Sequence, residues 1–320
     1  MASARHPFDR ELAAALPPSS SSGAAPTVDA LRSRFVAPRV DALLDEAGVD
    51  REDVVVTGHD GAALEMSVLR SRRARHGQAR RAAVYSLHGG GMILGTRFTG
   101  LGRLVDWVTR LDVVVVAVEY RLAPEFPDPV PIEDVYAGWR WLVAHAGERG
   151  IDLDRTLIAG ASAGGGLAAG VCLAARDRGE RMPAGQLLLA PMIDDRLSTA
   201  SAAQFAEGGT WDRASNLTGW DALLGDRRGG EDVSPYAAPA RAEDLRQLPP
   251  AYLDCGDAEL FRDETVAYAT ALWLAGVPAE LHVWAGGYHS FDALVPDAAI
   301  SRAASEARRS WIARTLGLGG

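Results

Sequence analysis

The sequence predicts an α/β protein built on a mostly parallel sheet, and two observations carry that expectation. Short apolar runs recur at 82–87 (AAVYSL), 113–118 (VVVVAV), 156–159 (TLIA), 186–190 (QLLLA), 251–255 (AYLDC) and 280–284 (ELHVW). Stretches of helical periodicity at 99–110, 132–147, 164–178, 262–275 and 298–315 alternate with them. A strand that is apolar along its whole length must be covered on both faces, and helices between parallel strands supply that cover.

The chain before these runs reads differently. Residues 17–26 (PPSSSSGAAP) cannot bury apolar surface and read as a linker. Val28, Leu31, Phe35, Val40, Leu43 and Leu44 follow at mostly helical spacing, broken near Pro38, which predicts one or two short helices. Val54 and Val56, then Leu64, Met66 and Val68, alternate with period two around His59, Asp60 and Gly61, the pattern of an antiparallel hairpin. One interval breaks the later rhythm: the 57 residues between Ile193 and Ala251 are too many for an ordinary connection. They predict an insertion, at about 195–235, that caps a site. Residues 1–50 are expected to contribute to that cap, and 51–320 to form one domain. There is no internal repeat.

Composition narrows the function classes. At 320 residues, 48% hydrophobic and 23% charged, the chain is neither collagen-like, disordered nor a small disulfide scaffold. A net charge of −9 argues against a nucleic-acid partner. All 33 basic residues are Arg, which excludes Schiff-base chemistry, a P-loop lysine and a Ser-Lys dyad. Cys172 and Cys255 lie in apolar runs without CxxC spacing and read as reduced core residues. No apolar stretch approaches the roughly 18 residues of a membrane span. Asp9 and Glu11 interrupt any leader-like h-region, so a cytoplasmic location is expected.

Two glycine-bearing segments carry chemistry. Gly160-Ala161-Ser162-Ala163-Gly164 follows the strand TLIA and opens a helical pattern, the setting of a strained strand-to-helix turn that projects a serine hydroxyl from the sheet. The helix that begins there adds backbone donors and a positive dipole end. His88-Gly89-Gly90-Gly91 follows the strand AAVYSL; its glycines let backbone N–H groups approach a developing oxyanion. A phosphate loop is discounted because the G-x-G-x-x-G spacing and a lysine are both missing. His88 precedes the glycines and reads as an orienting partner, not a base.

With Tyr120-Arg121-Leu122-Ala123-Pro124-Glu125 between them, these motifs resemble the hormone-sensitive-lipase-like esterases of the α/β-hydrolase superfamily over about residues 82–292. The resemblance implies an eight-stranded, mostly parallel sheet with helices on both faces and a helical cap. It also implies cofactor-free hydrolysis of carboxylic esters, and the chain order Ser, acid, His. Gly160-Ala161-Ser162 departs from the commoner G-D-S of that family, removing one acidic side chain beside the turn.

His289, in the loop GGYHSF just after the last strand, is the expected general base, whereas His282 lies inside the strand pattern and reads as structural. Matching Arg262-Asp263-Glu264 to the family's G-x-x-D-x-L-R-D-E pattern puts Glu259 in the acid's place, with Asp257 as competitor. Asp263 and Glu264 are expected to cap the helix that follows. Gly90, Gly91 and Ala163 are the expected oxyanion donors. His88, Gly89, Glu119, Tyr120, Arg121 and Asp134 are expected to hold the glycine loop from behind; Arg121 as a binder of an acidic substrate is the weaker reading.

The expected substrates are short- to medium-chain acyl esters, with Phe205, Trp211, Leu217 and Trp220 as pocket lining or cap core. An amidase or lactone hydrolase would use the same triad. A non-catalytic small-molecule receptor on this fold is disfavoured by the intact Ser162 and His289. No metal is expected, and the sequence leaves a homodimer open.

Overall fold

Val114, Val116 and Val118 point into one apolar core while Val113, Val115 and Ala117 point into another. This run is therefore buried on both faces, as its unbroken apolar character demands. The computed structural model describes residues 5, 7–16, 25–73 and 80–319. Among these, the strands are β1 (Val49–Thr57), β2 (Ala63–Ser71), β3 (Arg81–Leu87), β4 (Val114–Glu119), β5 (Ile151–Ala161), β6 (Gly185–Leu189), β7 (Ala251–Gly256) and β8 (Ala279–Trp284). They form one eight-stranded sheet in the order β1-β2-β4-β3-β5-β6-β7-β8. β1 and β2 make the expected hairpin through a tight turn at His59–Gly61, and β2 also pairs antiparallel with β4. The remaining pairings are parallel.

The helices are α1 (Arg10–Ala13), α2 (Val28–Arg32), α3 (Val40–Ala47), α4 (Leu101–Leu111), α5 (Val130–His145), α6 (Ala163–Asp177), α7 (Ala200–Gln204), α8 (Arg213–Leu224), α9 (Arg262–Leu274), α10 (Phe291–Leu294) and α11 (Ala299–Thr315). Trp139 of α5, Leu167 of α6 and Leu272 of α9 fill the core beneath Tyr85 and Val116. Leu44 of α3, Trp107 of α4 and Trp311 of α11 fill the core on the other face.

The segment between β6 and β7 holds α7 and α8, and Trp220, Leu223 and Leu224 of α8 join the first core. α2 reaches the same region: Thr218 Oγ1 donates to Pro26 O at 2.8 Å, and Arg32 donates to Ile93 O at 2.8 Å and to Ala123 O at 3.0 Å. The break at Pro38 falls between α2 and α3, as expected; most of the expected linker, residues 17–24, lies outside the described residues.

β5 starts five residues before the apolar run that announced it. Its ladder with β3 jumps from Arg81↔Ile151 to Ala83↔Thr156. The intervening residues Asp152, Leu153, Asp154 and Arg155 bulge out, tied by Arg155 Nε to Asp152 at 2.9 Å and Thr156 Oγ1 to Asp152 O at 2.7 Å. A charged bulge carries no alternation, so this part of the strand had no periodic signal. Cys172 and Cys255 are buried and unpaired.

Candidate active site

β5 ends at Ala161 and α6 begins at Ala163, leaving Ser162 on the turn with φ 55° and ψ −122°. That conformation is costly for a side-chain-bearing residue and persists only where the surroundings enforce it. Here Ser162 N donates to Leu189 O at 2.8 Å and Met192 N donates to Ser162 O at 3.0 Å, pinning the turn to the end of β6. The flanking glycines are sterically required: a Cβ on Gly160 would lie 2.0 Å from Gly164 O, and one on Gly164 would lie 2.1 Å from Leu87 O.

β3 ends at Leu87, beside β5, so the next residues pass directly by Ser162. Gly90 and Gly91 both have positive φ, at 131° and 60°. The amide N–H groups of Gly90, Gly91 and Ala163 have no acceptor among the described residues. Tyr120 holds this loop from behind: its hydroxyl donates to His88 O at 2.8 Å and its ring stacks on His88 at 4.2 Å. Burial pushes the His88 imidazole down to about 4, against the opposing hydrogen bond from Nδ1 to Gly89 O, so the ring is neutral.

Arg121 and Asp134 do meet, through two 2.8 Å contacts, but their network runs elsewhere. Asp134, fully buried, accepts from His59 N, and Arg121 reaches His59 O and Asp60, so the pair staples the β1–β2 turn to α5 and not to the glycine loop. Arg121 is thereby neutralised internally. Glu119 instead accepts from Arg97 N and Nη1, both at 3.0 Å, beyond the glycines.

His289 follows β8, and its Nδ1 lies 2.6 Å from Glu259 Oε2. Both side chains are buried, and the second Glu259 oxygen accepts from Gly256 N at 2.7 Å. The edge of Phe261 packs on the imidazole at 5.0 Å. Asp257 does not touch His289: its carboxylate accepts from Gly286 N at 2.7 Å and so anchors the start of the histidine loop. Neither His289 Nε2 nor the Ser162 hydroxyl has a hydrogen-bond partner among the described residues. A small cavity lined by Ala161, Leu189, Ala190, Glu259 and His289 runs behind the histidine loop to Arg103, Asp254, Asp292 and Arg308.

Asp263 and Glu264 lie in the first turn of α9, but their carboxylates do not cap it. Asp263 accepts from Ser201 N at 2.7 Å and Glu264 from Ile193 N at 2.9 Å, because the chain leaving β6 passes over them and offers unpaired amides. His282 stacks between Tyr252 and Trp284, as a structural residue.

Several supporting residues had no signal in the sequence. Thr210 Oγ1 donates to His289 O at 2.5 Å. Behind the histidine loop, Arg308, 4% exposed on its side chain, is bonded to Asp254 at 2.7 Å and to Asp292, which also pairs with Arg103 at 3.0 Å. A hydroxyl on a strained turn, an imidazole oriented by a carboxylate and three unpaired amide donors are the parts that nucleophilic acyl transfer requires.

The family model that matches residues 84–293 describes the alpha/beta hydrolase fold. The chain is 37% identical over 226 residues to the esterase LipI of Mycobacterium tuberculosis, covering 69% of this chain and 70% of that protein. An arylesterase of Saccharolobus solfataricus is 33% identical over 213 residues, 65% of this chain and 67% of its own length. Among solved structures, a bacterial heroin esterase superposes with a TM-score of 0.86 at 36% identity, covering 97% of this chain and 98% of its own. Sheet order, strained serine turn and sequence match agree: the chain belongs to the α/β-hydrolase fold family, on its hormone-sensitive-lipase-like esterase branch.

Proposed function

We propose that this chain is a serine carboxylesterase that hydrolyses short- to medium-chain acyl esters with Ser162 as nucleophile, His289 as general base and Glu259 as the orienting acid. The observation that carries the reading is the buried 2.6 Å contact between His289 Nδ1 and Glu259, made in a loop that lines one small cavity with Ala161, the residue before the strained Ser162 turn. The relatives named as esterases support the reaction class.

Ser162 Oγ attacks the ester carbonyl while His289 Nε2 takes its proton, a transfer that requires the two atoms within about 3.2 Å of each other in the substrate complex. Glu259 selects the imidazole tautomer with Nδ1 protonated and stabilises the imidazolium that forms. The carbonyl oxygen, now an oxyanion, is received by the N–H groups of Gly90, Gly91 and Ala163, and the α6 N-terminus adds its dipole. His289 returns the proton to the leaving alcohol, an acyl-enzyme remains, and a water activated by the same imidazole releases the acid. In this reading α2, α7 and α8 form a cap over the site, with Asp263 and Glu264 fastening the cap's stem to α9.

The test is a panel of p-nitrophenyl esters assayed with the parent chain and with Ser162→Ala. The expected loss in kcat is on the order of 10⁴- to 10⁶-fold with folding intact. Near-normal turnover by the variant overturns the proposal.

A further inference from the structure

Two adjacent residues between α7 and α8 bridge the two halves of the site. Thr210 Oγ1 donates to His289 O at 2.5 Å. The indole of Trp211 lies on the glycine loop: a Cβ placed on Gly91 would stand 2.4 Å from its Cη2 and 2.5 Å from its Cζ2. The indole is also held from the other side, because Nε1 donates at 3.2 Å to Oδ1 of the fully buried Asn216. α8 rests on the same glycine, close enough that a Cβ on Gly219 would lie 2.6 Å from Gly91 O. This aromatic wall is therefore fixed to both loops, not a loose flap.

Resting on the esterase reading above, we infer that Trp211 sets the acyl-chain limit of the site, favouring esters of acids from acetate to butyrate over hexanoate and longer. The leaving oxygen must meet His289 to be protonated, and the carbonyl oxygen must meet the amides of Gly90 and Gly91. The acyl chain is the remaining substituent, and in the proposed pose it extends toward the Trp211 indole that lies against Gly91. The other aromatic candidates of the segment do not compete for this role: Phe205 and Trp220 are 4% and 0% exposed and belong to the core.

The experiment compares kcat/KM for p-nitrophenyl acetate, butyrate, hexanoate and decanoate, and for a series of alkyl acetates, in the parent, Trp211→Phe and Trp211→Ala. In the parent, values should fall beyond butyrate. Trp211→Ala should raise the hexanoate-to-acetate ratio by about tenfold or more, since each methylene in an apolar pocket is worth roughly 10- to 200-fold. Trp211→Phe, which keeps most of the volume and is checked for fold by circular dichroism, should fall between. An unchanged acyl ratio in both variants, or a shift confined to the alkyl acetates, overturns the inference while an active parent leaves the esterase reading standing. A parent inactive on every ester overturns both.

Discussion

Glu259 divides its two oxygens between His289 Nδ1, at 2.6 Å, and the backbone N–H of Gly256, at 2.7 Å. The backbone bond fixes the carboxylate rotamer, which compensates for the extra rotatable bond of a glutamate. Glu259→Gln should therefore lower kcat by roughly 10³- to 10⁴-fold, because the amide no longer stabilises the imidazolium. Asp257→Asn should lose less than about tenfold, since the asparagine oxygen still accepts from Gly286 N. Steady-state kinetics of the two variants decide the matter: a larger loss in Asp257→Asn than in Glu259→Gln would give the acid's role to Asp257.

His88 makes stability depend on pH. Its folded-state value of about 4 lies below the ordinary 6.5, so between these two values the unfolded chain binds the extra proton. The contribution is complete above pH 6.5 and is lost as pH falls toward 4, on the order of 3 kcal/mol in all. Urea titrations at pH 7 and pH 5 should show His88→Gln losing less stability over that interval than the parent. Parallel losses would refute the assignment.

Glycine substitutions should separate by what a Cβ meets. Gly164→Ala drives a methyl to 2.1 Å from the backbone oxygen of Leu87, which cannot swing aside, and should cost more than about 3 kcal/mol or abolish folding. Gly102→Ala, in the first turn of α4 with nothing within 4 Å, should stabilise by roughly 0.4–1 kcal/mol, chiefly by restricting the unfolded chain. Melting temperatures of the two proteins test the contrast.

Arg308→Met would leave Asp254 and the buried carboxylate of Asp292 without their shared cation. Burial opposes ionisation of Asp292, yet Arg308 and Arg103 hold it well below the usual carboxylate range. Removing one partner of such a network costs about 3–5 kcal/mol. Since Asp292 lies three residues after His289, kcat should fall alongside the unfolding midpoint; a midpoint shift without a kinetic effect would confine Arg308 to stability.

Much of the fold and the site was legible in the residues. Val113 to Val118 announced a strand covered on both faces, and Gly160 and Gly164 marked the only kind of turn that could seat Ser162. Such signals are local: strand periodicity and the steric demand of a backbone turn act within a few residues, so they survive in one dimension.

What the tertiary structure decided was partnership. Glu259 and Asp257 stand two positions apart with nearly the same chemistry, and only the approach of the loop after β8 gives one the imidazole and the other the Gly286 amide. Asp263 and Glu264 capped the chain leaving β6 because that chain passes over them. Thr210 and Trp211 bridge His289 and Gly91 for the same reason. A hydrogen bond is satisfied by whichever group folding brings within about 3 Å. Motif spacing put Glu259 in the acid's place, but what Asp257, Asp263 and Glu264 hold instead depends on the packing of distant segments.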